Sequence, residues 1–230
     1  MNLFRDLIEL FFPRVCCICE KPLVGDEHEI CTDCLLNLPE TVSAIEENNF
    51  VEKRLWGRVK LESATALLIF KQKSNTQKIL HEIKYKGNEK LAVTMGRQLG
   101  LHLAQSGRFD DIDCLVPVPL FRRKERQRGY NQSLLLCQGI AETFPRPTVT
   151  GALIRTRHTD TQTHKNRIER LDNMNGVFAV TDAESLKNKH VLLIDDVITT
   201  GATTEACCIA LQAVEGIRIS VAALAIAGDS

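Results

Sequence analysis

The chain has 230 residues, of which 44% are hydrophobic, and its 29 basic side chains balance 29 acidic ones. This composition is typical of a globular protein with one sizeable core and a small appendage. The balanced charge argues against a protein that coats nucleic acid along its whole surface, although it allows a local basic patch. No stretch approaches the roughly 20 apolar residues of a membrane-spanning helix. Charged residues interrupt the apolar N-terminus, so we expect a short amphipathic helix there instead of a secretory signal, and a cytoplasmic protein without a membrane span.

Four of the nine cysteines form two Cys-x-x-Cys pairs, separated by eleven residues, near the start of the chain. This spacing suits one tetrahedral Zn²⁺, and a segment of about 25 residues has too little apolar surface to fold without such a staple. Two disulfides or a redox pair are the alternatives, which the absence of an export signal disfavours. We expect Cys17 and His28 to be bystanders and the later cysteines to be core residues. The expected metal ligands are Cys16, Cys19, Cys31 and Cys34, and the expected core cysteines are Cys114, Cys137, Cys207 and Cys208.

The remaining elements divide the chain into a zinc-binding module over residues 1–40, a polar acidic linker over 41–63 and a main domain over 64–230. In the main domain, apolar runs predict strands that alternate with helical segments. Such alternation favours a parallel sheet with helices on both faces, in which ligands lie beyond the carboxyl ends of the strands. The predicted strands are Ala64–Phe70, Cys114–Val118, Gly151–Ile154, Val177–Val180, Val191–Ile194 and Ile217–Ala225, and helices are predicted over Thr76–Tyr85 and Lys90–Gln105.

Two cation-rich loops follow predicted strands. Each loop alone is compatible with an ordinary charged surface, but long loops of this kind are often functional. Because a third anion-binding loop is predicted at the same edge of the sheet, a polyanionic ligand accounts for them better. The first loop carries Arg122, Arg123, Lys124, Arg126 and Arg128, and the second carries Arg155, Arg157, Gln162, Lys165, Arg167 and Arg170.

The third loop belongs to the segment VLLIDDVITTGAT at residues 191–203. A buried strand is expected to end at Asp195 and Asp196, followed by a turn of small and hydroxyl residues and a helix from about Thr204. Backbone N–H groups of such a turn converge on an anion, whereas the carboxylates suit sugar hydroxyls and a hard cation. An ordinary capped strand-to-helix turn is the alternative for either feature alone. The combination indicates a sugar-phosphate site.

This segment resembles the phosphoribosyl diphosphate (PRPP) signature of type I phosphoribosyltransferases. The chain as a whole resembles the ComF family of competence-associated proteins, also called ComFC or GntX-like, from end to end. The resemblance is carried by five motifs: the cysteine pairs, IKYKG at 83–87, PVPL with RxxRGYNQ at 117–132, RTxxTxxQ at 155–162, and the segment 191–203.

The resemblance implies a type I phosphoribosyltransferase-like parallel sheet flanked by helices, with PRPP and Mg²⁺ bound at the carboxyl edge. It implies that Asp195 and Asp196 face the ribose 2- and 3-hydroxyls, directly or through Mg²⁺, and that Arg126 and Arg128 neutralise the departing diphosphate. These four are the expected catalytic residues. The expected PRPP contacts also include Val197, Thr199, Thr200, Gly201, Ala202 and Thr203, and a water-excluding flap would carry Arg155, Gln162, Lys165, Arg167 and Arg170.

The implied function is transfer of phosphoribosyl to an unknown acceptor with release of pyrophosphate, in support of DNA uptake or natural transformation. Thr199 stands where purine-salvage relatives carry an acidic residue, so no purine-directed carboxylate is visible there, and no glutaminase domain is present. The alternative is a non-catalytic competence protein that senses PRPP or handles single-stranded DNA together with DNA-uptake proteins. Sparse aromatic residues and neutral net charge weaken a base-stacking surface.

Overall fold

The structure is a computed structural model that describes residues 13–156 and 176–228. Within these ranges helices separate most of the successive strands, in keeping with the predicted order of elements. None of the described helices combines the length and the apolar character that crossing a bilayer requires. The helices are α1 (Thr32–Leu36), α2 (Phe50–Leu55), α3 (Asn75–Tyr85), α4 (Glu89–Ala104), α5 (Arg122–Arg128), α6 (Gln132–Thr143) and α7 (Ala202–Leu211), and the strands are β1 (Ala64–Phe70), β2 (Cys114–Pro117), β3 (Leu153–Arg155), β4 (Phe178–Val180), β5 (His190–Ile198) and β6 (Arg218–Ala227).

Four strands form one parallel sheet in the order β1-β6-β5-β2. The central strands β5 and β6 are apolar along most of their length, as expected for strands covered on both faces. Leu192 and Ile194 of β5 belong to one buried cluster with residues of α3, α4 and α6. Val191 and Leu193 belong to another with residues of α2 and α7. The predicted parallel sheet with helices on both faces is confirmed.

Helices α4 and α6 approach each other unusually closely because glycines face each other across their contact. A Cβ atom on Gly139 would lie 2.0 Å from the carbonyl oxygen of Val93, and one on Gly96 would lie 2.4 Å from that of Leu136. Backbone atoms cannot move aside as a flexible side chain can, so these positions admit no side chain at the present spacing. The two helices form one layer on a face of the sheet, in which α6 packs on β2 and β5 and α4 packs on β1 and β6.

The strand containing the two acidic residues is longer than predicted. β5 passes through Asp195 and Asp196 and continues to Ile198, because Val197 and Ile198 pair with Ala225 and Ile226 of β6. Carboxylates disfavour a strand by propensity, but the backbone partners that β6 supplies override that preference. Helix α7 correspondingly begins at Ala202.

Two further predicted strands do not join the main sheet. Residues predicted as strands at 151–154 and 177–180 contribute β3 and β4, which pair with each other antiparallel. Their apolar side chains Leu153 and Phe178 pack on the cluster below α7. This small hairpin stands beside the carboxyl end of β2.

The segment 41–63, predicted as a linker, is folded onto the main domain. Asn49 caps α2 through its side-chain oxygen, and its amide nitrogen donates to the carbonyl oxygen of Ala64 at 2.9 Å. Arg108 donates to Glu52 at 2.7 Å, and Val51 and Leu55 are buried. The acidic side chains that suggest a linker in the sequence therefore lie at the surface of an ordered element, while its apolar residues join the core.

Candidate functional site

The four predicted metal ligands come together in the structure. The sulfur atoms of Cys16, Cys19, Cys31 and Cys34 all lie within 4.8 Å of one another, and those of Cys19 and Cys31 are 3.7 Å apart. Tetrahedral bonds of about 2.3 Å to one ion place two sulfurs about 3.8 Å apart. The donor set therefore fits a tetrahedral thiolate-bound ion.

The cysteine module is fastened to helix α3 of the main domain. Lys78 Nζ donates to the carbonyl oxygen of Ile18 at 2.7 Å, and Asn88 donates to Glu29 at 2.8 Å at the start of the next helix. The buried residues of the cysteine module belong to the same apolar cluster as those of α3 and α4. Cys17 and His28 lie outside the group of converging sulfurs. The expected core cysteines are buried, and these are Cys114, Cys137, Cys207 and Cys208.

The two carboxylates of β5 have different surroundings. Asp195 is only 7% exposed, and burial together with the charge of Asp196 raises its pKa to about 7. The N–H group of Asp196 donates to Asp195 Oδ1 at 2.8 Å. Asp196 is more accessible and pairs with Lys84 Nζ of helix α3 at 3.1 Å. Lys84 belongs to the IKYKG motif, to which the sequence alone assigns no function.

The turn between β5 and α7 has the conformation of an anion-binding loop. Gly201 adopts φ 79° and ψ 0°, in the left-handed region that glycine enters without strain, and it is the N-cap residue of α7. Thr199 and Thr200 are exposed, and Ala202 occupies the first helical position. The first N–H groups of a helix have no partner within the helix and carry its positive dipole end. This loop therefore presents backbone donors beside the acidic pair.

Cationic side chains from three separate segments converge near the carboxylates. The pKa of Lys124 is lowered by burial and by the charges of Arg155, Arg128 and Lys84. Arg155 in turn interacts electrostatically with Asp195. Cations of like charge gathered from α3, α5 and β3 repel one another unless an anion joins them. The cluster suits a multiply charged anion such as a diphosphate.

The structure separates the cations that the sequence grouped together on α5. Lys124 and Arg128 are one helical turn apart and share the face that is directed towards Lys84 and Arg155, whereas Arg126 lies about half a turn away and is exposed. Of the predicted flap residues only Arg155 lies within the described ranges, at the end of β3. The other flap residues lie outside the described ranges, and so does the predicted N-terminal helix. These flap residues are Gln162, Lys165, Arg167 and Arg170.

A cavity of about 580 Å³ adjoins this cluster, between the carboxyl end of β2, the start of α5 and the β3–β4 hairpin. Pro117, Phe121 and Ile154 give it apolar walls, and Arg122 and Arg155 add charge. Another cavity of about 710 Å³ lies at the opposite end of β6, around Arg218. Ligands of parallel sheets lie beyond the carboxyl ends of the strands, so the smaller cavity is the relevant one.

Comparison with known proteins finds similar sequences for this chain. A family model described as a phosphoribosyl transferase domain matches residues 131–230, which include the acidic pair and the loop. The DNA utilization protein YhgH of Escherichia coli K12 is 27% identical over 210 residues, covering 84% of this chain and 88% of that protein.

Two competence proteins are also similar. Competence protein F of Haemophilus influenzae is 29% identical over 129 residues, covering 54% of this chain and 56% of that protein. Competence protein ComFC of Bacillus subtilis is 39% identical over 89 residues, covering 39% of this chain and 34% of that protein. Among solved structures, the glutamine PRPP amidotransferase of B. subtilis matches with a TM-score of 0.40 and 17% identity over 61% of this chain and 30% of the enzyme. The chain is thus similar to YhgH and to these competence proteins, and its residues 131–230 match a phosphoribosyl transferase domain.

Proposed function

We propose that this protein binds PRPP with Mg²⁺ and transfers its phosphoribosyl group to an acceptor, releasing pyrophosphate, in support of DNA uptake. The observation that supports this most is the joint arrangement at the carboxyl end of β5. An acidic pair, a loop of backbone donors and a cluster of cations from three segments lie side by side. PRPP carries the three complementary groups: ribose hydroxyls, a 5-phosphate and a diphosphate.

Each part of the site has a distinct chemical task in this proposal. The loop of Thr199–Thr203 holds the 5-phosphate, and Asp195 and Asp196 hold the ribose hydroxyls. Asp195 and Asp196 would also hold Mg²⁺, which would neutralise charge on the leaving group. Lys84, Lys124 and Arg128 stabilise the charge that develops on the departing pyrophosphate. The roles of Val197, Arg126 and the flap residues as ligand contacts stay predictions.

The acceptor would enter the cavity of about 580 Å³ beside β2. Its walls combine Leu120, Phe121 and Leu153 with two arginines. Apolar walls exclude water, which would otherwise compete with the acceptor for C1 of the ribose. The acceptor itself is left open in this proposal.

A charge-reversal experiment at the loop tests the proposal. Thr200→Asp places a carboxylate at an exposed position beside the helix start, where acidic residues favour the helix dipole and should not impair folding. Thr200→Asn has nearly the same shape without the charge and is the matched control. We expect calorimetry to show that the Asp variant loses PRPP binding while the Asn variant resembles the parent. Equal binding by both variants would refute the loop as the phosphate site.

Transfer itself requires a second experiment. Pyrophosphate release from PRPP and Mg²⁺ is measured with bases, amines and single-stranded DNA as candidate acceptors. Acceptor-dependent release that is lost in Asp196→Asn supports catalysis. Tight PRPP binding without release for any acceptor would favour the alternative, a protein that senses PRPP.

A surface feature favours single-stranded DNA as a partner. Tyr85 is 69% exposed, and the guanidinium of Arg128 lies 5.6 Å from its ring centroid, next to the exposed cations of α5. Aromatic rings on basic surfaces stack bases while the cations hold the backbone. Tyr85→Ala should weaken binding of a labelled oligonucleotide in fluorescence anisotropy, whereas Tyr85→Phe, which keeps the ring, should not. Equal effects of the two variants would contradict this surface.

The proposal includes a structural Zn²⁺ in the cysteine module and a location in the cytoplasm. All nine cysteines are free thiols, and four of them form the converging group. Thiolate clusters and unpaired core cysteines persist in a reducing compartment. Cell fractionation with an antibody against the protein tests the location, and recovery outside the cytoplasm would contradict it.

A further inference from the structure

Two arginine side chains donate hydrogen bonds to the backbone of the phosphate loop, Thr199–Thr203. Arg54 Nη1 donates to the carbonyl oxygen of Thr199 at 2.7 Å, and Arg58 Nη1 donates to that of Thr200 at 2.6 Å. Arg54 lies in the last turn of α2, and Arg58 lies in the turn that follows the helix. Both belong to the segment 41–63 and are more than 140 residues from the loop in sequence.

These hydrogen bonds determine where the N–H groups of the loop point. In a trans peptide unit the carbonyl oxygen and the following N–H point in opposite directions. When Arg54 holds the carbonyl of Thr199, the N–H of Thr200 faces away from α2. When Arg58 holds the carbonyl of Thr200, the N–H of Gly201 does the same. The two arginines therefore direct two consecutive donors towards the outer side of the loop.

Each guanidinium is anchored at a second point. Arg54 Nη2 donates to the carbonyl oxygen of Ala227 at the end of β6, at 3.1 Å. Arg58 Nη2 forms an ion pair with Glu205 of α7, and the two side chains are only 18% and 9% exposed. The N–H of Glu205 bonds to the carbonyl of Gly201 at 2.8 Å. Because these bonds are charge-assisted and the Arg58–Glu205 pair is largely shielded from water, they hold the loop firmly.

We infer that Arg54 and Arg58 are positioning residues that orient the loop's N–H groups for the 5-phosphate of PRPP without touching the ligand. This inference rests on the proposed function. A loop whose donors already point at the phosphate need not reorganise on binding, and such preorganisation is a main source of affinity for anions. The segment 41–63 therefore belongs to the binding site through its contacts with the loop.

A matched set of variants distinguishes this role from simple tethering. Arg54→Met and Arg58→Met remove the hydrogen bonds and keep the apolar stem. Arg108→Met is the control, because Arg108 ties the same segment to the core through Glu46 and Glu52, and its hydrogen bonds within the described residues do not include the loop. Arg54→Lys and Arg58→Lys keep the charge with a single donor group, and they provide folded variants if the Met variants do not fold.

Calorimetry is performed with PRPP and Mg²⁺, with ribose 5-phosphate, and with pyrophosphate and Mg²⁺. We expect each Arg→Met variant of the pair to bind PRPP and ribose 5-phosphate about 10-fold or more weakly, and to bind pyrophosphate as the parent does. The Lys variants should be intermediate. Amide hydrogen exchange should accelerate at Glu205, whose N–H donates to the carbonyl oxygen of Gly201, in the Arg54 and Arg58 variants and not in Arg108→Met.

Two results would overturn the inference while leaving the proposed function intact. One is parent-like affinity for ribose 5-phosphate in both Arg→Met variants. The other is an equal loss for ribose 5-phosphate and pyrophosphate that Arg108→Met shares, which would indicate general destabilisation. A parent protein that binds neither PRPP nor ribose 5-phosphate would refute the proposed function, and the positioning role would fall with it.

Discussion

Replacement of Asp195 by Asn should make the protein more stable at alkaline pH. Burial and the charge of Asp196 raise the pKa of Asp195 from 3.8 to about 7. A difference of about 3 pKa units corresponds to about 4 kcal/mol that the folded protein loses when this carboxyl ionises. Asn has the same shape, and its side-chain oxygen can still accept the hydrogen bond from the N–H of Asp196. The variant therefore avoids the cost of ionisation and keeps the contact.

The direction of the pH dependence follows from proton binding in the two states. Between about pH 4 and pH 7 the folded protein keeps the proton on Asp195 and the unfolded chain does not, so stability falls as pH rises through this range. Above about pH 7 both states are ionised and the loss is complete. The stability of Asp195→Asn relative to the parent should thus rise by about 2 kcal/mol between about pH 5.5 and pH 8.

Urea unfolding of the zinc-loaded protein at several pH values measures this difference, with the exposed Asp26→Asn as the control. The control should track the parent at every pH. An Asp195→Asn variant that is less stable than the parent at pH 8, or whose advantage does not change with pH, would refute the reasoning. A more stable variant that no longer binds PRPP would show that the buried charge is retained for function at a cost in stability.

Further expectations concern the metal, the core and the ligand. Purified protein should contain about one Zn²⁺ by elemental analysis, and Cys31→Ser should lose it while Cys17→Ser keeps it; metal retained in the former would contradict the assignment. Gly139→Ala should lower the free energy of unfolding by about 1–3 kcal/mol or more, because the new Cβ would lie 2.0 Å from a carbonyl oxygen of the facing helix, and an unchanged urea midpoint would contradict that contact. Lys84→Met should weaken calorimetric binding of PRPP with Mg²⁺ by about 10-fold, whereas Lys86→Met, which is exposed and pairs with Glu82, should not; equal affinities would remove Lys84 from the site. Affinity for PRPP with Mg²⁺ should fall as pH drops below about 7, because Asp195 then takes up a proton, and a flat profile from about pH 6 to 8 would count against its role.

Local patterns in the sequence were sufficient for the elements whose structure is set by near neighbours. Strand β1 has the predicted bounds, and helix α3 differs by one residue at its start. The convergence of the four cysteines could be predicted because a Cys-x-x-Cys turn presents two sulfurs to one point whatever the rest of the chain does. The acidic pair and the loop with Gly201 are likewise contiguous in the sequence. Their chemistry could therefore be predicted from the segment 191–203 alone.

The tertiary structure alone decided which distant residues complete the site. Lys84 reaches Asp196 from helix α3, and Arg54 and Arg58 reach the loop from a segment whose acidic composition predicts a linker. Lys124 and Arg128 share a helix face from which Arg126 is excluded. These pairings depend on how the layers pack and on the order of strands in the sheet, neither of which leaves a periodic signal in the chain.

The bounds of β5 show the same division for the backbone. The sequence by itself determined a buried apolar strand that leads to two carboxylates, because a short run of branched apolar residues is typical of a strand covered on both faces. Only the folded sheet extended the strand through Asp195 to Ile198, since the neighbouring strand β6 supplies hydrogen-bond partners that local propensity cannot anticipate. That extension buries Asp195 and raises its pKa, so the electrostatic character of the carboxylate arises from the tertiary structure, whereas its identity and its position beside the loop are already present in the sequence.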